Sequence, residues 1–158
     1  MSTLRVDSIR GQTADGTNRY VVQVKQITTS TLVQVDTTSA TATGLSLSIT
    51  PSSSNNKILV MGSVNGGYSS ATSTGANIDV FRGSTSSDTK ISDAHVHAAF
   101  DTASSDNQVN VPFCILDSPS TTSAQTYSVF FNRSTASGTV GVSQNSSQSS
   151  LTLMEIAQ

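Results

Sequence analysis

The sequence places two histidines two residues apart, at His95 and His97. Residues separated by two point to the same face of a β-strand, so both imidazoles would be able to bind one metal ion. Two ligands from one chain are too few for a stable site, but a threefold axis would bring six ring nitrogens together. The simpler interpretation makes both histidines polar residues on the solvent side of a strand. A metal site is therefore predicted only for an assembly with threefold symmetry.

A hydrolytic centre needs a nucleophile beside a base, and the most distinctive nucleophile is the single cysteine, Cys114. Cys114 lies between Phe113 and Ile115 in an apolar segment, which favours a small buried side chain over a reactive thiol. Serines are too frequent to indicate a site, and the sequence contains no Gly-x-Ser-x-Gly elbow. One cysteine also excludes an internal disulfide.

The acidic residues are scattered, whereas a glycosidase needs two positioned carboxylates. Asp88, Asp106 and Asp117 fall in turn-like segments, where aspartate stabilises turns through side-chain-to-backbone hydrogen bonds. No glycine loop of the kind that binds phosphate is present. The sequence therefore predicts no catalytic residues, no cofactor and no enzymatic activity.

The composition indicates a β-rich body. The 158 residues suit one domain, serine and threonine supply about a third of them, and charged residues only 11%. Low charge and regularly spaced apolar clusters argue against disorder. A net charge of −2 predicts no nucleic-acid partner, and the short apolar runs predict no membrane insertion. The segment Met1–Arg10 has no apolar stretch, so we expect no signal peptide.

Short apolar stretches alternate with polar clusters from Tyr20 onward. The period of two is clearest where Leu45, Leu47 and Ile49 alternate with serines. A segment that is apolar on both faces, Ile58–Val60, favours a central strand, and we expect a turn at Asn65-Gly66-Gly67. Nine or ten such strands predict an all-β fold in which two antiparallel sheets pack as a sandwich.

Three phenylalanines, Phe81, Phe100 and Phe130, fall on the less clearly buried side of their predicted strands. We interpret them as core or subunit-interface residues rather than as a platform for ligand stacking.

The first nineteen residues differ from the rest because charged residues are frequent and, after Met1, the large apolar residues are only Leu4, Val6 and Ile9. Such a segment cannot form a core alone and must dock on another surface. We predict an extended N-terminal arm over residues 1–25 and a β-sandwich domain over residues 26–158.

The opening STLRVDSIRGQTADGTN resembles the start of many virion structural and tail-fibre proteins of tailed phages, especially those of marine bacteria and cyanobacteria. The shared pattern is a Leu-x-Val-Asp-x-Ile core and a glycine-containing turn, carried by Leu4, Val6, Asp7, Ile9, Gly11 and Gly16. The stretches Leu45–Val64 and Phe113–Val129, with the terminal SSLTLMEIAQ, resemble the distal β-domain often found behind that arm.

The resemblance implies a jelly-roll-like, homotrimeric distal domain and an arm that anchors it through Leu4, Val6, Asp7 and Ile9. The expected function is that of a phage virion surface protein: a fibre, a knob or a capsid decoration. Its expected partners are other virion proteins through the arm and a glycan or protein of the host surface. Its expected location is the virion surface, after assembly in the host cytoplasm.

Two alternatives remain open at this point. A carbohydrate-binding module of a secreted bacterial protein would need exposed tryptophan or tyrosine platforms, and the chain has no tryptophan and three tyrosines. A depolymerase acting at a subunit interface would use the scattered acids and would release sugar.

Overall fold

The computed structural model describes residues 19–70, 74–92, 108–134 and 137–158. Within these ranges the chain forms ten β-strands and one short 3₁₀ turn at Gln144–Ser146. The strands are β1 (Val21–Thr29), β2 (Val33–Val35), β3 (Thr41–Ile49), β4 (Lys57–Ser69), β5 (Ala76–Arg82), β6 (Thr89–Lys90), β7 (Val109–Asp117), β8 (Gln125–Arg133), β9 (Val140–Val142) and β10 (Ser149–Ile156). In these ranges no helix is long and apolar enough to cross a membrane.

The strands form two antiparallel sheets, which confirms the predicted sandwich. The larger sheet has the order β1-β10-β4-β7, and the short strands β9 and β2 extend it beside the second half of β4. The smaller sheet has the order β3-β8-β5-β6. If the short strands β2 and β9 are left out and the other eight strands are renumbered 1 to 8 along the chain, the larger sheet has the order 1-8-3-6 and the smaller sheet 2-7-4-5. This is the strand order of a jelly roll.

The core lies between the inner faces of the two sheets. Alternation along each strand places one set of apolar side chains there, as the period of two predicts. The largest fully buried apolar side chains are Tyr127, Phe131, Leu45, Ile49, Ile58, Ile78, Leu151, Leu153, Val60, Val64 and Val80. The strand β4 is central, paired with β10 on one side and with β7 on the other, as its apolar sequence predicts.

The outer face of the smaller sheet is also well covered. Phe81 and Phe130 point away from the core yet are only 4% and 8% exposed, and their rings meet edge to face at 5.5 Å. Beside them Asp79 pairs with Lys90, whose Nζ lies 3.0 Å from the carboxylate. The two phenylalanines are thus buried packing residues, whereas Phe100 lies outside the described residues.

The structure bears on two local details of the sequence expectations, namely the start of β1 and a turn. Residues 21–25, assigned to the arm, belong to β1, where Val24 and Lys25 pair with Met154 and Leu153 of β10. The expected turn at Asn65-Gly66-Gly67 is wrong, because β4 runs through it to Ser69 with a break in register between Val64 and Gly67. Gly66 adopts a φ of +62°, so the glycine allows an irregular bend within a continuous strand.

Candidate functional site

The outer face of the larger sheet is the main candidate site. Its side chains align in three rows that cross four strands, because β1, β10, β4 and β7 pair in consistent register. The rows are Val24, Met154, Leu59 and Leu116; Gln26, Thr152, Met61 and Cys114; and Thr28, Ser150, Ser63 and Pro112. We call these twelve residues the outer face.

The first row of the outer face is entirely apolar and largely open to solvent. Val24 and Leu116, at its two ends, are 54% and 53% exposed, and Met154 and Leu59 between them are half-buried. Further exposed apolar side chains, Tyr20, Val21 and Val22, adjoin it at the start of β1. These residues together form an apolar area that is exposed to solvent.

A hollow of about 590 Å³ opens beside the apolar row. Its apolar wall includes Met61, Cys114 and Pro112. Its polar lining residues are Gln26, Ser150 and Thr152, and Gln26 Nε2 donates to Thr152 Oγ1 at 2.9 Å. Apolar atoms dominate this wall, so the hollow is suited to an aliphatic group rather than to an ion.

The outer face carries no aspartate, glutamate, lysine, arginine or histidine. Lys25 reaches across to β3, where its Nζ donates to the Ser48 carbonyl at 3.0 Å. Lys57, two residues before Leu59, stands at the border of the face. The electrostatic character of this surface is therefore neutral, and a matching partner surface should also lack charge.

Glu155 is the most buried acid among the described residues, on the inner side of β10. Its Oε1 accepts hydrogen bonds from the Ser52 amide, the Ser52 hydroxyl and Asn56 Nδ2 at 2.6–2.7 Å, and its Oε2 accepts one from Gln23 Nε2 at 2.7 Å. Burial by itself raises the pKa of this carboxyl, but the four hydrogen bonds favour the anion more strongly and set the pKa at about 2. Glu155 thus ties β1 and the β3–β4 loop to β10, which is a structural role.

A second polar network closes one end of the sandwich. Arg82 Nη1 of β5 lies 3.1 and 3.0 Å from the two carboxylate oxygens of Asp117, and Tyr127 Oη donates to Asp117 Oδ2 at 2.7 Å. Burial, and then the bond to Asp117, raise the pKa of the Tyr127 hydroxyl. Asp117 ends strand β7, so its expected role as a turn residue is wrong and it joins the two sheets instead. Asp88, by contrast, stabilises a turn as predicted, accepting a bond from the Thr85 amide at 2.8 Å.

The site residues predicted from the sequence lie outside the described part of the chain. His95 and His97, proposed as metal ligands, and the anchoring residues Leu4, Val6, Asp7 and Ile9 all fall there, so both roles stay predictions. Among the residues described, no group of three or more His, Cys, Asp or Glu side chains is placed to hold a metal ion.

The prediction that Cys114 is buried is wrong, because the thiol is exposed on the outer face. Val111, Phe113 and Ile115 occupy the inner side of β7, and alternation then directs Cys114 outward. The apolar neighbours in sequence suggested that Cys114 is buried. The period of two, however, places Cys114 on the face opposite Phe113 and Ile115. The outer face itself was missed, because its four strands are not consecutive in sequence.

The tyrosines do not form an aromatic platform of the kind that binds sugars. Tyr127 and Tyr68 are 0% and 6% exposed, and only Tyr20, at 42%, reaches solvent. The hydroxyl of Tyr68 is engaged by Gln34 Nε2. The carbohydrate-binding alternative therefore gains no support from the tyrosine positions.

Comparisons with known proteins identify no family. No protein-family model matches the chain, and no curated protein matches it. Among solved structures, the chain is similar to a mutant VP2 protein of infectious bursal disease virus in derived T=1 particles, with 12% identity and a TM-score of 0.46. The match covers 99% of this chain and 40% of that one, so the chain spans well under half the length of this neighbour.

Proposed function

We propose that the protein is a non-enzymatic component of a phage particle: a fibre, a knob or a capsid decoration. The N-terminal arm would bind other virion proteins, and the sandwich would project from the particle toward the host surface. The observation that carries this proposal is the outer face, an uncharged surface with one fully apolar, solvent-exposed row, on a domain whose two polar networks are closed on themselves. Such a surface is suited to assembly rather than to chemistry.

Two further features support the same function. Jelly-roll sandwiches recur in viral capsids, in lectins and in cupins, so the strand order fits a virion role without selecting it. The resemblance of the opening segment to phage attachment arms, carried by Leu4, Val6, Asp7 and Ile9, favours the virion among these classes. A homotrimer is part of the proposal, because association would cover apolar surface that a single copy exposes.

The arm is tested by replacing Leu4, Val6 and Ile9 with serine in the full-length chain. We expect the variant to fold and to keep its solution mass, but to be incorporated into particles at least about tenfold less, since its apolar anchors are lost. Quantitative immunoblotting of purified particles gives the ratio of this protein to the major capsid protein.

A matched control replaces Thr3, Ser8 and Thr13 with alanine, which changes three residues of the same segment without removing a large apolar side chain. Incorporation of the serine variant at the level of this control would contradict anchoring by the arm.

A further inference from the structure

Two complementary features lie side by side on the outer face. Leu116 protrudes from β7 with 53% of its surface exposed, and the hollow lined by Cys114 and Met61 begins one row away. Residues two apart on a strand are separated by roughly 7 Å, so the protrusion and the hollow fit within a single contact area. A surface that contains both a protruding group and a recess for it is complementary to itself.

We propose that the outer face is a self-association surface whose occupant is a second copy of this chain. Leu116 of each copy would enter the hollow of the other, because a self-complementary face gives a twofold contact. The inference rests on the proposed virion function, and it adds a pairwise contact that is separate from the proposed threefold axis.

Charge favours a second copy over another candidate occupant, the N-terminal arm. The arm carries Arg5, Asp7 and Arg10 among its few apolar residues, and these charges would have to be desolvated on a face whose twelve residues carry no charge. A second outer face brings no such charge. The net charge of −2 also adds little long-range repulsion between copies.

The size of the face indicates the strength of the contact. Four strands at ~4.8 Å spacing and three rows at ~6.8 Å spacing correspond to an area of roughly 400 Å². A standard stable interface buries about 800 Å² on each partner. The bordering Tyr20, Val21 and Val22 extend the apolar area but do not double it. We therefore expect association that depends on concentration, with dissociation visible on dilution.

The first test measures the solution mass of the full-length protein by light scattering over a concentration series. Leu116→Lys should raise the dissociation constant at least about tenfold, because it places a charge where the hollow requires an aliphatic group. Leu32→Lys is the matched control, since Leu32 is 46% exposed but lies outside the outer face, and it should change the constant less than about twofold. Circular dichroism verifies that both variants fold.

The second test uses the native cysteine and needs no variant that could fail to fold. Cys114 is the only cysteine and lies in the wall of the hollow, so a short bis-maleimide should join the thiols of two copies into a covalent dimer. Cys114→Ser provides the control that should give none.

Each outcome decides the proposal. Association that Leu116→Lys weakens, together with the cross-link, supports it. A mass of two copies rather than three would keep this contact and overturn the homotrimer. A monomer at every concentration, or association without the cross-link and unaffected by Leu116→Lys, would overturn the proposal.

Association lost only when Leu4, Val6 and Ile9 are replaced would assign the contact to the arm, which also overturns it. Particle incorporation is measured separately, so failure here leaves the anchoring proposal intact.

Discussion

Each sheet of the sandwich has one side that points away from the core, namely the outer face on the larger sheet and the outward side of the smaller sheet. Both follow the same alternation of side chains, but their apolar side chains differ in exposure to solvent. On the smaller sheet, Phe81 and Phe130 point outward and are nearly fully buried, and pairs of hydroxyls such as Ser46 and Ser128 bond across strands at 2.8 Å. On the larger sheet, Val24 and Leu116 point outward and are more than half exposed. The larger aromatic side chains are covered, whereas the aliphatic row is left open.

This difference separates stability from assembly. Burial of apolar surface within one chain lowers the free energy of the folded state, whereas apolar surface left open contributes only when a partner covers it. Substitutions on the outward side of the smaller sheet should therefore change the free energy of unfolding. Substitutions on the outer face of the larger sheet should change the dissociation constant of self-association. Substitutions on each face test this division.

The largest effect is expected for Phe130→Ala. Removal of a buried aromatic ring that also packs edge to face on Phe81 should lower the free energy of unfolding by about 3–5 kcal/mol. Leu116→Ala, the matched change on the open face, should lower it by less than ~0.5 kcal/mol. Urea unfolding at low protein concentration, where association does not contribute, measures both. Equal losses would break the division between the faces.

A smaller effect is expected from acid, acting through Glu155 on the inner side. Its pKa of about 2 lies below the ordinary 4.5, so its contribution is complete above pH 4.5 and is lost as the pH falls toward 2. The difference between the two pKa values corresponds to at most about 3–4 kcal/mol of folding free energy. Glu155→Gln should lower stability near neutral pH and remove this part of the pH dependence.

The control for acid is Asp36→Asn, which changes an exposed acid. The dissociation constant of self-association should not depend on pH where the chain stays folded, because the outer face has no carboxyl group. Unfolding curves at several pH values, compared with solution mass under the same conditions, measure the two responses. A pH slope of Glu155→Gln that equals the slope of the native chain would contradict the role of Glu155.

The smallest effect is expected for Lys90→Met on the smaller sheet. The substitution removes the ammonium group 3.0 Å from the Asp79 carboxylate but keeps an aliphatic side chain near the Phe81 ring. We expect the free energy of unfolding to fall by about 1 kcal/mol, because Lys90 is partly exposed whereas Asp79 is mostly buried. The loss should shrink in concentrated salt. Lys25→Met, at an exposed edge, should cost less than ~0.5 kcal/mol, and a loss as large as that of Lys90→Met would show no special value of the pair.

Local patterns in the sequence determined the strand class and much of the core. Leu45, Leu47 and Ile49 were predicted to share one face of a strand; Leu45 and Ile49 are fully buried, and Leu47 packs against the core. The period of two is a local property of the extended backbone, so it can be read without knowledge of the partner strands. The same period also placed Cys114 outward, although its apolar neighbours led to the opposite prediction.

Only the tertiary structure decided which faces are covered and which residues become neighbours across the sheet. Val24, Leu59, Leu116 and Met154 come from four strands far apart in sequence, and their alignment depends on three pairing registers that alternation alone cannot set. The hydrogen bonds that stabilise the Glu155 anion likewise arise from Gln23, Ser52 and Asn56, which are distant along the chain. The local pattern determines which side chains share one face of a strand. Long-range pairing determines which side chains of other strands lie beside them.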